Sequence, residues 1–246
     1  MKTLLLLGGM TPDVTILYYN IINAAARTRH GHRTNFPLHI HSANLELMIQ
    51  HASAGKWTDF SAVYADSVTA LTRPKRIVDG VVICSILAHK VSRQLASILE
   101  GTGVTVLHIA DMLAGHIRTR YPQIKKLGLL GPKITMLDGD DPDFFVGRLR
   151  RHGFEVIVPE TEEDIESVNR GMIEEVAKGR EAVTEATRGM FVSQANGLVG
   201  RGAEALVLGS TDLGFVLGED DVDGIPVIEP AGVHASAAAE WAMVDD

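Results

Sequence analysis

A single cysteine, Cys84, stands among 246 residues. No intramolecular disulfide is possible, so the thiol is free and a reducing compartment suits it. No Lys/Arg-rich run interleaved with aromatics occurs either: 31 acidic residues outweigh 23 basic ones, the formal charge is -8, and aromatics make up only 5% of the chain. Such a balance does not recruit a phosphate backbone, and nucleic acid is not an expected partner. The opening apolar run is four leucines, Leu4 to Leu7, ended by Gly8-Gly9. That is too short for a membrane span, for which about 20 residues are needed, or for a signal-peptide core. A cytoplasmic protein with no membrane partner is the expectation. No P-loop and no Gly-x-Gly-x-x-Gly pattern follows a first strand, so no nucleotide cofactor is implied. The ten histidines do not form a His-x-x-x-His pair beside a carboxylate, and no metal site is expected.

What is present is apolar and periodic. Hydrophobic residues make up 46% of the sequence, ample for buried cores in one large domain or two small ones. Leu4 to Leu7 reads as a buried strand that ends in the turn Gly8-Gly9-Met10, and Asp13 to Asn23 has helical spacing. Pro37 to His41, Gly80 to Cys84 and Val104 to Ile109 read as further strands, with helical stretches at Trp57 to Leu71 and Val91 to Leu99. The order repeats. Strands are expected at Lys126 to Gly131, Phe154 to Pro159 and Ala203 to Gly209, with helices around Phe144 to Arg151 and Ile165 to Ala177. Strand and helix in alternation imply parallel α/β sheets. The stretch from Gly8 to Cys84 nearly equals in length that from Gly131 to Ser210, so each half carries an apolar strand ending in a small reactive side chain. Open parallel sheets bind ligands beyond the carboxyl ends of their strands, which makes Cys84 and Ser210 the leading candidates for chemistry. The plainer alternative is that Cys84 is an inert core thiol and Ser210 ordinary strand-end punctuation.

These residues resemble a known family. Gly8-Gly9-Met10-Thr11 with Thr15-Ile16-Leu17-Tyr18-Tyr19, then Cys84 with His89-Lys90, Leu107 to Asp111, Leu129-Leu130-Gly131 with Thr135-Met136, Val168-Asn169-Arg170, Gly209-Ser210-Thr211-Asp212 and His234-Ala235 occur in the order of the aspartate/glutamate racemases. The resemblance spans nearly the whole chain. It implies two pseudo-symmetric α/β domains with an active site between them, here residues 1–113 plus 226–246 and residues 114–225. It also implies no pyridoxal phosphate or other cofactor, a small carboxylate substrate, and a homodimer. In the family, one thiolate removes the proton next to the carboxylate and a second thiol returns a proton from the other face. Carried over residue by residue, Cys84 and Ser210 are the catalytic candidates, and Met10, Thr11, Thr15, Asn44, Gln50, Ser85, Thr211 and Asp212 the substrate-binding ones. His89, Lys178, His234 and Glu229 are further possibilities, against capping, packing or an exposed face. The loop after Cys84, leading toward a helix near Val91, is expected to offer N–H groups that favour a thiolate.

Two departures matter. The family's usual Cys-Thr-Asn-Thr run is here Cys84-Ser85-Ile86-Leu87, which replaces two polar positions by apolar ones. Ser210 stands where the second half normally carries cysteine, and a hydroxyl is a far weaker acid than a thiol. The leading expectation is a cofactor-independent racemase or epimerase. The alternatives are a single-cysteine decarboxylase or double-bond isomerase on a more apolar acid, and a carboxylate-binding protein without turnover.

Overall fold

Four leucines in succession suit a strand covered on both faces, and β1 (Leu4–Gly8) is buried along its whole length. The chain continues through α1 (Pro12–His30), β2 (Leu38–Ser42), α2 (Leu45–Ser53), α3 (Trp57–Thr72) and β3 (Gly80–Ile83). A 3-10 turn (Leu87–Val91), α4 (Ser92–Leu99), β4 (Thr105–Leu107) and α5 (Ile109–Arg120) follow. The second series is β5 (Lys126–Leu130), α6 (Lys133–Leu137), α7 (Phe145–Arg151), β6 (Glu155–Ile157), α8 (Glu162–Glu174), α9 (Glu185–Gly200), β7 (Ala205–Leu208) and β8 (Val227–Ile228), before α10 (Pro230–Met243). The computed structural model describes residues 1–73, 75–222 and 224–244. Contacts divide the chain into a first unit, Met1–Met112 with the chain from Ala231 on, and a second, Leu113–Pro230.

Each unit is a four-stranded parallel sheet, in the order β2-β1-β3-β4 in the first and β6-β5-β7-β8 in the second. Period-two alternation sorts the first unit's strand residues. Leu4, Leu6, Val82, Cys84 and Leu107 pack with Val14, Tyr18 and Ile22 of α1 and with the alanines of α10. Leu5, Leu7, Val81 and Ile83 meet Met48 of α2, Phe60 and Tyr64 of α3 and Leu95 of α4. Each fully buried leucine contributes about 1.5–3 kcal/mol relative to an exposed one, so β1 anchors both faces. The second sheet is covered alike, with Gly128 leaving room for Leu198 of α9 against β5.

The fold is the α/β arrangement expected, with differences at the element ends. The first helix extends past Asn23 to His30, because Ala24-Ala25-Ala26 continue it until Gly31, whose φ of 98° stops it. The strand expected over Val104 to Ile109 is cut to Thr105–Leu107. His108 Nδ1 accepts the Ala110 N–H at 3.2 Å, which makes it a side-chain cap that starts α5 one residue later.

Candidate active site

In a sheet ordered 2-1-3-4 the connections from the two central strands run to opposite sides, leaving a crevice at their carboxyl ends. In the first unit, Gly8-Gly9-Met10 leaves β1 there and Cys84-Ser85 leaves β3 beside it, joined by the Cys84 N–H on the Leu7 carbonyl at 2.9 Å. Gly9, with φ of 96°, is required at its turn, since a Cβ would fall on the Ala43 backbone. The Thr15 hydroxyl holds the turn closed: it accepts the Gly9 N–H at 2.9 Å and donates to the Thr11 carbonyl at 3.0 Å. Tyr64 donates its hydroxyl to the Gly8 carbonyl at 3.1 Å. Of the other residues expected here, Thr11 begins α1 and Met10 is packed into the core beneath α3. Asn44 caps α2 by accepting the Leu47 N–H at 3.0 Å, and the exposed Gln50 donates to Glu46 at 3.0 Å.

Cys84 is 1% exposed, with Sγ 3.9 Å from the Val82 carbonyl. Burial pushes its thiol pKa well above the usual range. Burial thus opposes the thiolate that the loop N–H groups were expected to favour. A 3-10 turn follows Cys84, α4 begins at Ser92, and desolvation favours the neutral thiol. Just after it, the backbone N–H groups of Ser85, Ile86 and Leu87 donate to no acceptor among the described residues. The Ser85 side chain is buried beside them.

His89, fully buried, lies over this loop. Its Nδ1 is 2.7 Å from the Ser85 carbonyl, and its Nε2 accepts the Ile109 N–H at 3.1 Å. A carbonyl only accepts, so Nδ1 carries the proton and the ring is neutral. His108 stacks edge-on at 4.4 Å and His234 is 5.7 Å away. His234 is also neutral by its partners: Nε2–H donates to the Leu107 carbonyl at 2.8 Å, and Nδ1 accepts the Tyr18 hydroxyl at 2.9 Å. Burial lowers its pKa to about 4. These contacts give His234 the work of fixing α10 against α1 and β4.

The second unit repeats the crevice. Gly131 and Gly209 touch so closely that a Cβ on Gly131 would lie 2.7 Å from the Gly209 carbonyl carbon. Ser210 follows, with Oγ accepting the Asp212 N–H at 3.3 Å and its carbonyl the Leu213 N–H at 3.2 Å. Thr211 is buried, Asp212 half-buried. The N–H groups of Ser210 and Thr211 donate to no acceptor among the described residues. Thr135, on α6 just beyond β5, has a buried hydroxyl without a partner among the described residues. Lys178 is exposed in a 3-10 turn after α8, in a different segment from Ser210, and Glu229 packs its stem near Gly214. Sequence reading missed the Tyr64, Tyr18 and His108 contacts. The Tyr18–His234 bond spans 216 positions, and no local pattern announces it.

Comparison with known proteins agrees with this fold. The family model for Asp/Glu/hydantoin racemases matches residues 7–238. A Yersinia pestis protein provisionally named an Asp/Glu racemase is 30% identical over 99% of this chain and all of its own, with a TM-score of 0.86. An aspartate racemase homologue from Pyrococcus horikoshii is 26% identical over 98% of this chain and 99% of its own, with a TM-score of 0.76. The Picrophilus torridus aspartate racemase shares the fold at 18% identity and a TM-score of 0.73, covering 98% of this chain and 94% of its own.

Proposed function

The chain belongs to the Asp/Glu/hydantoin racemase family, a class of racemase-type isomerases, and from that premise we propose that Cys84 moves a proton at a carbon next to a substrate carboxylate. The observation that carries the reading is the juxtaposition at the end of β3. A proton-bearing thiol is followed at once by the undonated N–H groups of Ser85, Ile86 and Leu87. A carboxylate resting on those groups turns its α-carbon toward a proton carrier. Once the Cys84 thiol has given its own proton to water, the thiolate takes the α-proton as the C–H bond breaks; the electron pair stays as an enolate whose charge is met by donors already in place, and the α-carbon then regains a proton. The substrate is an amino acid or substituted dicarboxylic acid, and Ile86 and Leu87 favour one with an apolar portion. The chemistry is proton transfer by the chain's own residues, without a cofactor, in a cytoplasmic homodimer.

A second reading has its own support. Burial keeps the one thiol protonated, which is the form needed to give a proton rather than take one. In a decarboxylation the bond from the α-carbon to the departing carboxylate breaks and carbon dioxide leaves. The electron pair stays as an enolate, which takes the Cys84 proton, and the thiolate regains one from water. Ser210, a weak acid, then needs no part in proton transfer.

Incubating the natural protein and Cys84→Ala in heavy water with amino acids and substituted malonates, followed by NMR, separates these readings. Cys84-dependent α-hydrogen exchange with inversion is expected, falling at least about 10³-fold in the variant. Undiminished exchange in Cys84→Ala would sink the proposal. Loss of carbon dioxide without inversion would move the assignment to the second reading, and saturable binding without turnover would leave a carboxylate-binding protein.

A further inference from the structure

We infer that His89 is a positioning residue that aims the Ile86 N–H at the substrate carboxylate, an inference that rests on the proton-transfer reading above. A trans peptide is planar, with its C=O and N–H pointing to opposite sides. The carbonyl of the Ser85–Ile86 peptide is held on the His89 side by the 2.7 Å bond from Nδ1–H, so the Ile86 N–H points the other way. The ring is fixed at its far end by the Ile109 N–H, the first residue of α5, at 3.1 Å. It is fully buried, so water does not compete for either bond. His89 therefore sets the peptide without touching the reacting atoms.

The second unit shows what happens without such a ring. Cys84 and Ser210 occupy equivalent strand ends, and the turn that follows each places a residue five positions on: the His89 N–H donates to the Ile86 carbonyl at 3.0 Å, and the Phe215 N–H to the Asp212 carbonyl at 3.5 Å. Phe215 offers no polar atom. There the loop closes on itself, with the Leu213 N–H consumed by the Ser210 carbonyl, whereas the equivalent Leu87 N–H is left undonated among the described residues. A ring on the Ser85 carbonyl holds the first loop open and adds a donor to the cradle.

Two substitutions separate this role from packing. In His89→Asn the amide nitrogen takes the place of Nδ1 and keeps the Ser85 bond; in His89→Gln the amide takes the place of Nε2 and keeps the Ile109 bond. Asn is expected to retain Cys84-dependent exchange to within about 5-fold, while Gln lowers kcat on the order of 10²-fold with a smaller change in KM. Equal losses in the two variants would overturn the inference. A second arm needs no turnover. Titrating ¹⁵N-labelled protein with D- and L-aspartate, D- and L-glutamate and malonate should shift the Ile86 amide in the natural protein and in Asn, but not in Gln. The His89 ring nitrogens should report a proton on Nδ1. An unshifted Ile86 amide with every acid, or a proton on Nε2, would refute the positioning role whatever the reaction. Absence of exchange alongside a shifted Ile86 amide would instead refute the proton-transfer reading and leave His89 as the residue that aims a carboxylate-binding cradle.

Discussion

Acid should weaken this protein through His234, by an amount the structure allows to be worked out. The ring is fully buried, donates to the Leu107 carbonyl and accepts from Tyr18, a set of partners that requires the neutral form. Burial lowers its pKa to about 4, the Leu107 bond opposing part of that shift, while in the unfolded chain it titrates near the ordinary 6.5. The folded pKa is thus depressed below the unfolded one. Its contribution is complete above pH 6.5 and is lost as pH falls toward 4, because the unfolded chain binds a proton that the fold refuses. At about 1.4 kcal/mol per pH unit the loss reaches about 2–3 kcal/mol by pH 4.5, a sizeable part of the 5–15 kcal/mol typical of a folded domain. Urea denaturation at pH 7.5, 6.5, 5.5 and 4.5 should show this decline in the natural protein. In His234→Gln the stability at pH 7.5 is lower, but the added decline below pH 6.5 is missing. His89, His108 and the carboxylates are present in both proteins, so the difference between the two curves isolates residue 234. Parallel curves would refute the argument that His234 is held neutral in the fold.

Cys84 predicts the opposite edge of the pH range. Its folded pKa is raised, so its contribution is whole below the unfolded thiol value near 8.5 and is lost as pH rises; relative to Cys84→Ala, the natural protein should lose about 2 kcal/mol by pH 10, read by urea denaturation, and equal slopes would mean the thiol is not desolvated. Ser210→Cys supplies a second thiol at the equivalent strand end. If the two-thiol chemistry of the family is latent in this fold, chiral chromatography should show inversion rising at least about 10-fold, and an unchanged rate would mean that the second unit serves a different chemistry.

How much of this was legible in the sequence depended on whether the signal was local. The leucine run of β1, the glycines that end it and the placement of Cys84 after an apolar strand follow from neighbouring residues and period-two burial, and each is where sequence reading put it. Helix α10 carried little amphipathic signal. Its buried face is alanine, Ala231, Ala235, Ala238, Ala239 and Ala242, small enough to lie flat on α1 and β1 yet too weakly apolar to mark one face. The histidines were legible as residues but not as work. His89 earns its meaning from Ser85 and from Ile109, 20 positions on, and His234 from Tyr18 and Leu107, 216 and 127 positions back. Thr15 and Asn44 were expected near substrate; their hydrogen bonds hold the Gly9 turn and cap α2.

The ionisation of Cys84 shows why geometry decides what residue type leaves open. A thiol after a strand and before a loop that leads into a helix suggests an activated nucleophile if the loop N–H groups outweigh burial. Here seven residues lie between Cys84 and Ser92, and the sulfur is packed among apolar side chains of β1, α1, β3, β4 and α10. Duplication supplied two equivalent strand ends, and divergence has treated them differently. One retains the thiol, with a buried ring holding its loop open; the other has a hydroxyl, a phenylalanine at the ring's position and a loop closed by its own backbone. Proton carriers of equal strength at the two strand ends would gain nothing from that asymmetry. If both ends act on one substrate, inversion passes through two proton carriers of unequal acidity, so kcat for the two enantiomers should differ while the kcat/KM values remain tied by the equilibrium constant of the reaction. Equal kcat values for both enantiomers would show that Ser210, despite its weak acidity, matches Cys84 as a proton carrier.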